Sequence, residues 1–236
     1  LKKQSAEKLI IDVRGNNGGY LNAATSITDQ FLRKGQLIVY TQGKNSPKQE
    51  IMATDRGIGE NLDIAILIDE WSASASEIIA GAIQDNDRGI IVGRRSFGKG
   101  LVQDQTRLSD GSAIRLTVAR YYTPTGRCIQ KPYKDGRDNY FNDLNERFLQ
   151  GEFFHADSIN FADSLKYTTP EGDIVYGGGG IMPDYFVPAD TSYHSKLLTQ
   201  VTNKGLIYEY AFQYADQNRD LLKKFKNTGE LDDYLE

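Results

Sequence analysis

The chain has 236 residues, 39% of them hydrophobic, enough for one large domain, or a domain with an appendage, around a substantial core. Its 28 basic and 32 acidic residues leave a formal net charge of −4, with no strongly basic face to attract phosphates, so nucleic acid is not an implied partner. No run approaches the roughly 18 apolar residues of a membrane span, the single Cys128 excludes an internal disulfide, and no Cys/His cluster marks a metal site, so neither metal nor cofactor is expected.

The opening LKKQSAEKLIIDV reads as the end of a helix running straight into a strand from Leu9 to Val13. The chain is therefore expected to start inside a domain, and the missing export signal says nothing about compartment. Arg14 to Gly19 follows as a turn that needs glycine conformations, ahead of a helix from about Leu21 to Arg33. That turn suits an ordinary strand-to-helix connection, or backbone amides placed to hold a developing oxyanion. It lacks the spacing of a dinucleotide or phosphate loop. Gln36 to Thr41 is the next strand, and 43–56, polar with Pro47, is a loop or edge hairpin.

Residues 61–103 organise the rest. Ile64 to Ile68 is a short apolar run of the kind a buried strand shows, and from Ser74 the apolar residues fall at helical spacing: Ile78 with Ala82, Ile79 with Ile83. A further apolar run is bracketed by Gly89 and Gly93. A serine at such a strand-to-helix junction sits where the helix turns its free N–H groups and positive dipole end toward a ligand, the place for an acyl-transfer nucleophile. Ser74-Ala-Ser-Glu77 equally fits a capping box, in which the serine only satisfies helix N–H groups. The isolated Lys99, framed by Gly98 and Gly100 just past the next strand, tips the balance. Serine activated by lysine is a variant of the triad logic, and it needs a neutral amine, which burial favours by desolvating the charged form.

Beyond Gln103, the turn 109–112 leads into a half-exposed strand, Ala113, Arg115 and Thr117 alternating with Ile114, Leu116 and Val118, that ends at Tyr122 before Thr123-Pro-Thr-Gly126. Residues 132–176 are long, charged and aromatic, with a helix near Asn142 to Gln150. Gly177 to Gly180 is a flexible turn, and helical periodicity resumes from Ser195 through Leu198, Val201, Tyr210 and Tyr214 to Phe225. His155 and His194 lack the strand-end setting of a catalytic imidazole and read as surface or structural residues, while Cys128 reads as packed rather than reactive.

SASASEIIAGAIQD at 72–85 followed by VGRRSFGKGLVQ at 92–103 resembles the catalytic core of the carboxyl-terminal processing, or tail-specific, serine peptidases. LIIDVRGNNGG at 9–19, RLTVARYYTPTGRCIQ at 115–130 and GGIMPDYFVP at 179–188 extend the resemblance over most of the chain. It implies Ser74 as nucleophile, Lys99 as base and Gln103 as the residue orienting the lysine, separated by 25 and 4 positions (99 − 74 and 103 − 99). Four residues of straight strand span about 13 Å, so Gly98 and Gly100 would have to let the chain bend for Gln103 to reach. The resemblance also assigns the oxyanion hole to the N–H of Ala75 with that of Gly18 or Gly19, and places the 115–122 strand beside the site, where its edge would take a substrate strand.

The implied fold is α/β, a spiral crotonase/ClpP-like core of repeated strand-strand-helix units, with 181–187 closing the sheet. Residues 1–190 would form an N-terminally truncated catalytic core, and the helical pattern of 191–236 reads as an extension that either covers the core, the favoured reading, or serves as an assembly arm. The implied partners are protein or peptide substrates with a free C-terminus and an upstream PDZ domain absent from this chain. The implied setting is a bacterial periplasm or cell envelope. A crotonase-like thioester enzyme and an inactive peptide-binding module of the same fold are the alternatives.

Overall fold

The computed structural model describes residues 6–133, 136–159, 162–191 and 195–225. The expected N-terminal helix end (1–5) and His194 lie outside them. Two compact units divide the chain, Leu1–Ala189 and Asp190–Glu236. The first carries β1 (Lys8–Asp12), α1 (Leu21–Thr28), β2 (Leu37–Gln42), β3 (Gln49–Met52), β4 (Asp63–Ile68), α2 (Ala75–Asp85), β5 (Ile90–Gly93), β6 (Leu101–Arg107), β7 (Ala113–Tyr122), α3 (Gly136–Leu149), β8 (Lys166–Thr168), β9 (Ile174–Tyr176) and β10 (Tyr185–Phe186). The second carries α4 (Lys196–Asn203), α5 (Leu206–Gln217) and α6 (Arg219–Leu222).

The fold of the first unit is mixed α/β. A parallel sheet runs β1-β4-β5-β10, and a second, antiparallel sheet runs β3-β2-β7-β6. In β4 the residues Ile64, Ile66 and Ile68 are buried while Ala65 and Leu67 are half-buried, so its apolar run serves both faces unequally. All eleven residues of α2 are buried, and the helix packs against α1, β2 and β5, between the two sheets. Its apolar residues fill the space between the sheets, while its buried polar residues Ser76, Glu77, Gln84 and Asp85 are all hydrogen-bonded.

Sequence expectation and structure part at four points. Helix α1 stops at Thr28, not Arg33: past it the turns tighten, with the Gln30 N–H bonded to Ile27 O (3.1 Å) and the Phe31 N–H to Thr28 O (3.0 Å), and the Arg33 N–H, which a longer helix would give to Asp29 O, goes to Gln36 Oε1 at 2.7 Å. Helix α3 begins at Gly136, six residues before its expected start. Strand β6 was not foreseen. It pairs with β7 from Leu101↔Arg120 to Arg107↔Ala113 and takes the outer position of the sheet, so the open edge beside residues 98–103 belongs to β6 rather than β7. Residues 113–118 of β7, expected to be half-exposed, are exposed on both faces, as the β6–β7 hairpin projects beyond the core.

One carboxylate fastens the loop before α2 to the loop before β6. Glu77 is fully buried, and its Oε1 accepts the Ser96 hydroxyl (2.5 Å) and the Gly98 N–H (2.7 Å), while Oε2 accepts the N–H groups of Ser74 (2.8 Å) and Lys99 (2.9 Å). Burial pushes its carboxyl above the usual glutamate range, and the four donors work against that shift. Gly98 adopts φ 86°, a left-handed conformation that aims its amide at the carboxylate.

Glu77→Gln turns an NH2 group onto two of these donors, and each buried donor left unmatched costs about 1–3 kcal/mol. We expect urea unfolding to show a loss of about 2–4 kcal/mol for this substitution. Because the folded-state value is raised, the Glu77 contribution is fully present below the ordinary glutamate value of about 4.3 and is lost as pH rises through its folded value. The stability gap between wild type and Glu77→Gln should therefore narrow from pH 5 to pH 8. A gap that widens would show that the fold prefers the charged carboxylate.

Candidate active site

Three loops meet at the N-terminus of α2. Ser74, its N-cap, holds φ 56° and ψ −112°, a conformation that costs a non-glycine residue about 1–3 kcal/mol and persists where the surroundings impose it. The surroundings do so from three sides. Its N–H is held by Glu77 in a reciprocal capping-box arrangement, and its carbonyl lies 3.0 Å from the Tyr121 hydroxyl, which is also 2.7 Å from Lys99 O. Tyr121 is buried on β7, and burial pushes its phenol well above the usual range, so it remains a neutral donor shared between the two loops.

The glycine turn after β1 locks onto the same place. Asp69 Oδ1 accepts the Gly15 N–H (2.9 Å) and that of Ser72 (3.0 Å), the Ser72 hydroxyl donates to Val13 O (2.8 Å), and Asn16 O accepts the Ala73 N–H (3.0 Å) and the Ser76 hydroxyl (2.9 Å). Gly18, at φ 101°, passes so near the serine turn that an added Cβ would meet Ala73 O at 2.6 Å and Ser74 Cβ at 2.8 Å. Only glycine fits there. Its own N–H is already committed to Asn16 Oδ1 at 2.9 Å. Of the two glycines left open by sequence, Gly19 is therefore the one that lines the cavity without that commitment.

A cavity of about 690 Å³ brings together Ser74, Ala75, Gly19, Lys99 and Gln103. Ser74 and Lys99 are half-buried, and Gln103 is exposed on β6. Among the described residues no hydrogen bond joins the side chains of Ser74, Lys99 and Gln103; what they share is the cavity wall. The bend demanded of the glycines is present at Gly98, and a second device adds to it: Val102 pairs with Ala119 but Gln103 with Thr117, so β7 bulges at Val118 and re-aims the strand at Gln103.

Several residues supporting this site were read differently from sequence, or not singled out. Glu77 was visible only as a helix cap, although an acid three residues after the serine and a serine-glycine loop in one stretch is the signal that could have marked it. Lys131, on the far side of the Phe97–Gly98 turn, is buried with its ammonium 2.9 Å from Asp143 and over the rings of Phe97 (3.8 Å) and Tyr140 (4.5 Å), and burial pulls it below the usual lysine range. Cys128 is half-buried with its thiol pushed up by burial, and His155 is exposed. No group of His, Cys, Asp and Glu among the described residues is arranged to hold a metal ion.

Residues 1–135 match the profile of peptidase family S41, and residues 197–236 match a family of unknown function, DUF8443. Among curated proteins, the chain is 40% identical over 233 residues to the carboxy-terminal processing protease CtpB of Bacillus subtilis, covering 98% of this chain and 44% of that protein. It is 48% identical over 124 residues to a carboxy-terminal-processing protease of Bartonella bacilliformis, 51% of this chain and 28% of that one. The chain thus spans less than half the length of these relatives. Among solved structures, it resembles a photosystem II D1 C-terminal processing protease with a TM-score of 0.54 and 27% identity, over 79% of this chain and 36% of the other. The sequence profile, together with a relative aligned along nearly the whole chain, shows that this chain belongs to peptidase family S41.

Proposed function

We propose that residues 1–190 are the catalytic core of a serine peptidase that cuts protein substrates near their C-terminus. The observation that carries this reading is the single cavity lined by a conformationally strained Ser74, by Lys99 and by the backbone at Gly19 and Ala75. Ser74 Oγ attacks the scissile carbonyl as Lys99 Nζ takes the hydroxyl proton. The oxyanion forms against the N–H groups of Ala75 and Gly19, which cost no reorganisation because both loops are already pinned. The C–N bond then breaks, Lys99 returns its proton to the leaving amine, and water repeats the sequence on the acyl-enzyme. Gln103 orients Lys99 once substrate closes the cavity. Apo geometry is often looser than the working complex, which suits three side chains that face one cavity without touching.

The spiral of strand-strand-helix units shared with crotonase- and ClpP-like proteins is part of this reading, supported by two sheets with α2 between them. So are residues 191–236 as a separate helical extension. Substrates with a free C-terminus, an upstream PDZ domain and a setting in the bacterial periplasm or envelope belong to the same proposal; the relatives' names, which describe carboxy-terminal processing, support cleavage near a substrate's C-terminus.

Substitutions at Ser74, Lys99, His155 and Gly18 test the roles. Ser74→Ala should abolish peptide cleavage and labelling by a fluorophosphonate while changing stability by about 1 kcal/mol or less, since only a hydroxyl at an N-cap is lost. Cleavage by the purified variant at near wild-type rate would end the nucleophile assignment. Lys99→Arg should be as inactive as Lys99→Ala, because a guanidinium does not give up its proton at working pH, whereas the exposed His155→Ala should retain full turnover. Loss of activity in His155→Ala would call for a histidine base instead. Gly18→Ala should cut kcat at least tenfold, because its Cβ displaces the Ser74 backbone, and wild-type kinetics in this variant would show that the close approach is dispensable.

A further inference from the structure

A second cavity, about 1,060 Å³, opens on the other side of Lys99. Its walls are mostly apolar and aromatic: Trp71 and Phe97 from the catalytic loops, Leu101 from β6, and Tyr140, Phe141 and Leu144 from α3. Asn17, Lys99, Leu101 and Gln103 line both this cavity and the one that holds Ser74, so the two are continuous around the lysine. The helix that builds its outer wall begins at Gly136, immediately beyond the residues that match the family profile.

The wall is held in place. Arg147 of α3 donates to Arg95 O (2.7 Å) and Ser96 O (3.1 Å) and pairs with Glu152 (2.7 Å), and the buried Lys131 ties Asp143 of α3 to the Phe97 ring. A preformed apolar cavity at the upper end of the roughly 300–1,000 Å³ of ligand sites holds several side chains, not one. Along its floor runs β6, outermost in its sheet, so the main-chain groups on its open side can pair with an added strand. An extended peptide laid there points every second side chain to the same face.

Resting on the reading of Ser74 and Lys99 as a peptidase centre, we propose that this trough is the subsite that selects substrates carrying large apolar or aromatic residues at alternate positions of an extended segment. The segment adds as a strand to β6, its apolar side chains enter the α3 trough, and the neighbouring peptide bond is delivered to Ser74.

The chain has one tryptophan, Trp71, and it is half-exposed in this wall, so its emission reports occupancy independently of cleavage. In Ser74→Ala protein, which leaves the peptide intact, an acetylated octapeptide with Phe and Leu at alternate positions should shift the Trp71 emission saturably. It should bind about tenfold tighter or more than the same peptide with Ser and Gln at those positions, a difference of about 1.4 kcal/mol. Phe141→Ser, a change at an exposed ring that should not disturb folding, and Leu144→Gln should each remove most of that preference. Equal affinity for the two peptides, or an intact preference in both variants, overturns the proposal, as does a shift of emission with protein concentration in the absence of peptide, which would mark the trough as a contact between copies. Fluorophosphonate labelling of wild-type protein separates this from the underlying reading. Labelling at Ser74 without apolar preference removes the trough alone, and apolar preference without labelling removes the peptidase centre while leaving a peptide-binding trough.

Discussion

The Glu77 carboxylate is the constraint on which the candidate site depends. An unpaired carboxylate in a core is expensive to keep, and burial indeed pushes Glu77 upward, yet four donors from two loops converge on its two oxygens. Three of those donors are backbone amides, at Ser74, Gly98 and Lys99, so what the carboxylate fixes is main chain. The strained φ of Ser74 and the left-handed Gly98 are two sides of one arrangement, each turned so that its amide reaches the same group. Helix α2, buried on every face, is the rigid post from which Glu77 acts.

Two further fastenings make the arrangement a single body. Tyr121 brings its hydroxyl from the antiparallel sheet to the carbonyls of Ser74 and Lys99, and Asp69, Ser72 and Asn16 bind the glycine turn of β1 to the serine turn of β4. Loops from three strands are thereby registered against one helix end before any substrate arrives. Reactions that build charge in the transition state gain most from donors already in position, since nothing must reorganise as the charge appears. The same economy extends outward, where Arg147 and Lys131 use buried charge to hold α3 against the catalytic loop and so shape the aromatic trough beside it.

Much of this was legible in the sequence, and the legible part has a common physical cause. Strands β1, β2, β4 and β5, helix α2 and the helices of the second unit announce themselves because burial of a local apolar period is decided within a dozen residues. Glycines flanking Lys99 and the serine at a strand-to-helix junction are equally local signals, and they point to the loops that the structure gathers around one cavity. Where sequence left Gly18 and Gly19 alike, the structure separates them by an Asx bond at Gly18 and by the steric contact of Gly18 with Ala73 and Ser74, residues more than fifty positions away.

What only the tertiary structure decided follows the same rule in reverse. Strand β6 exists because the hairpin turn at 109–112 folds it onto β7, and the bulge that re-aims Gln103 arises from their register. Residues 132–176 looked merely charged and aromatic, because nothing in their own order shows that Asp143 and Arg147 will find Lys131, Arg95 and Ser96 and turn Tyr140, Phe141 and Leu144 into a wall. The sequence by itself determined most of the buried elements and the loops that carry Ser74 and Lys99, since these rest on local periodicity and backbone preference. Tertiary structure decided their partners, because hydrogen bonds and packing between distant segments are satisfied only once the chain has closed.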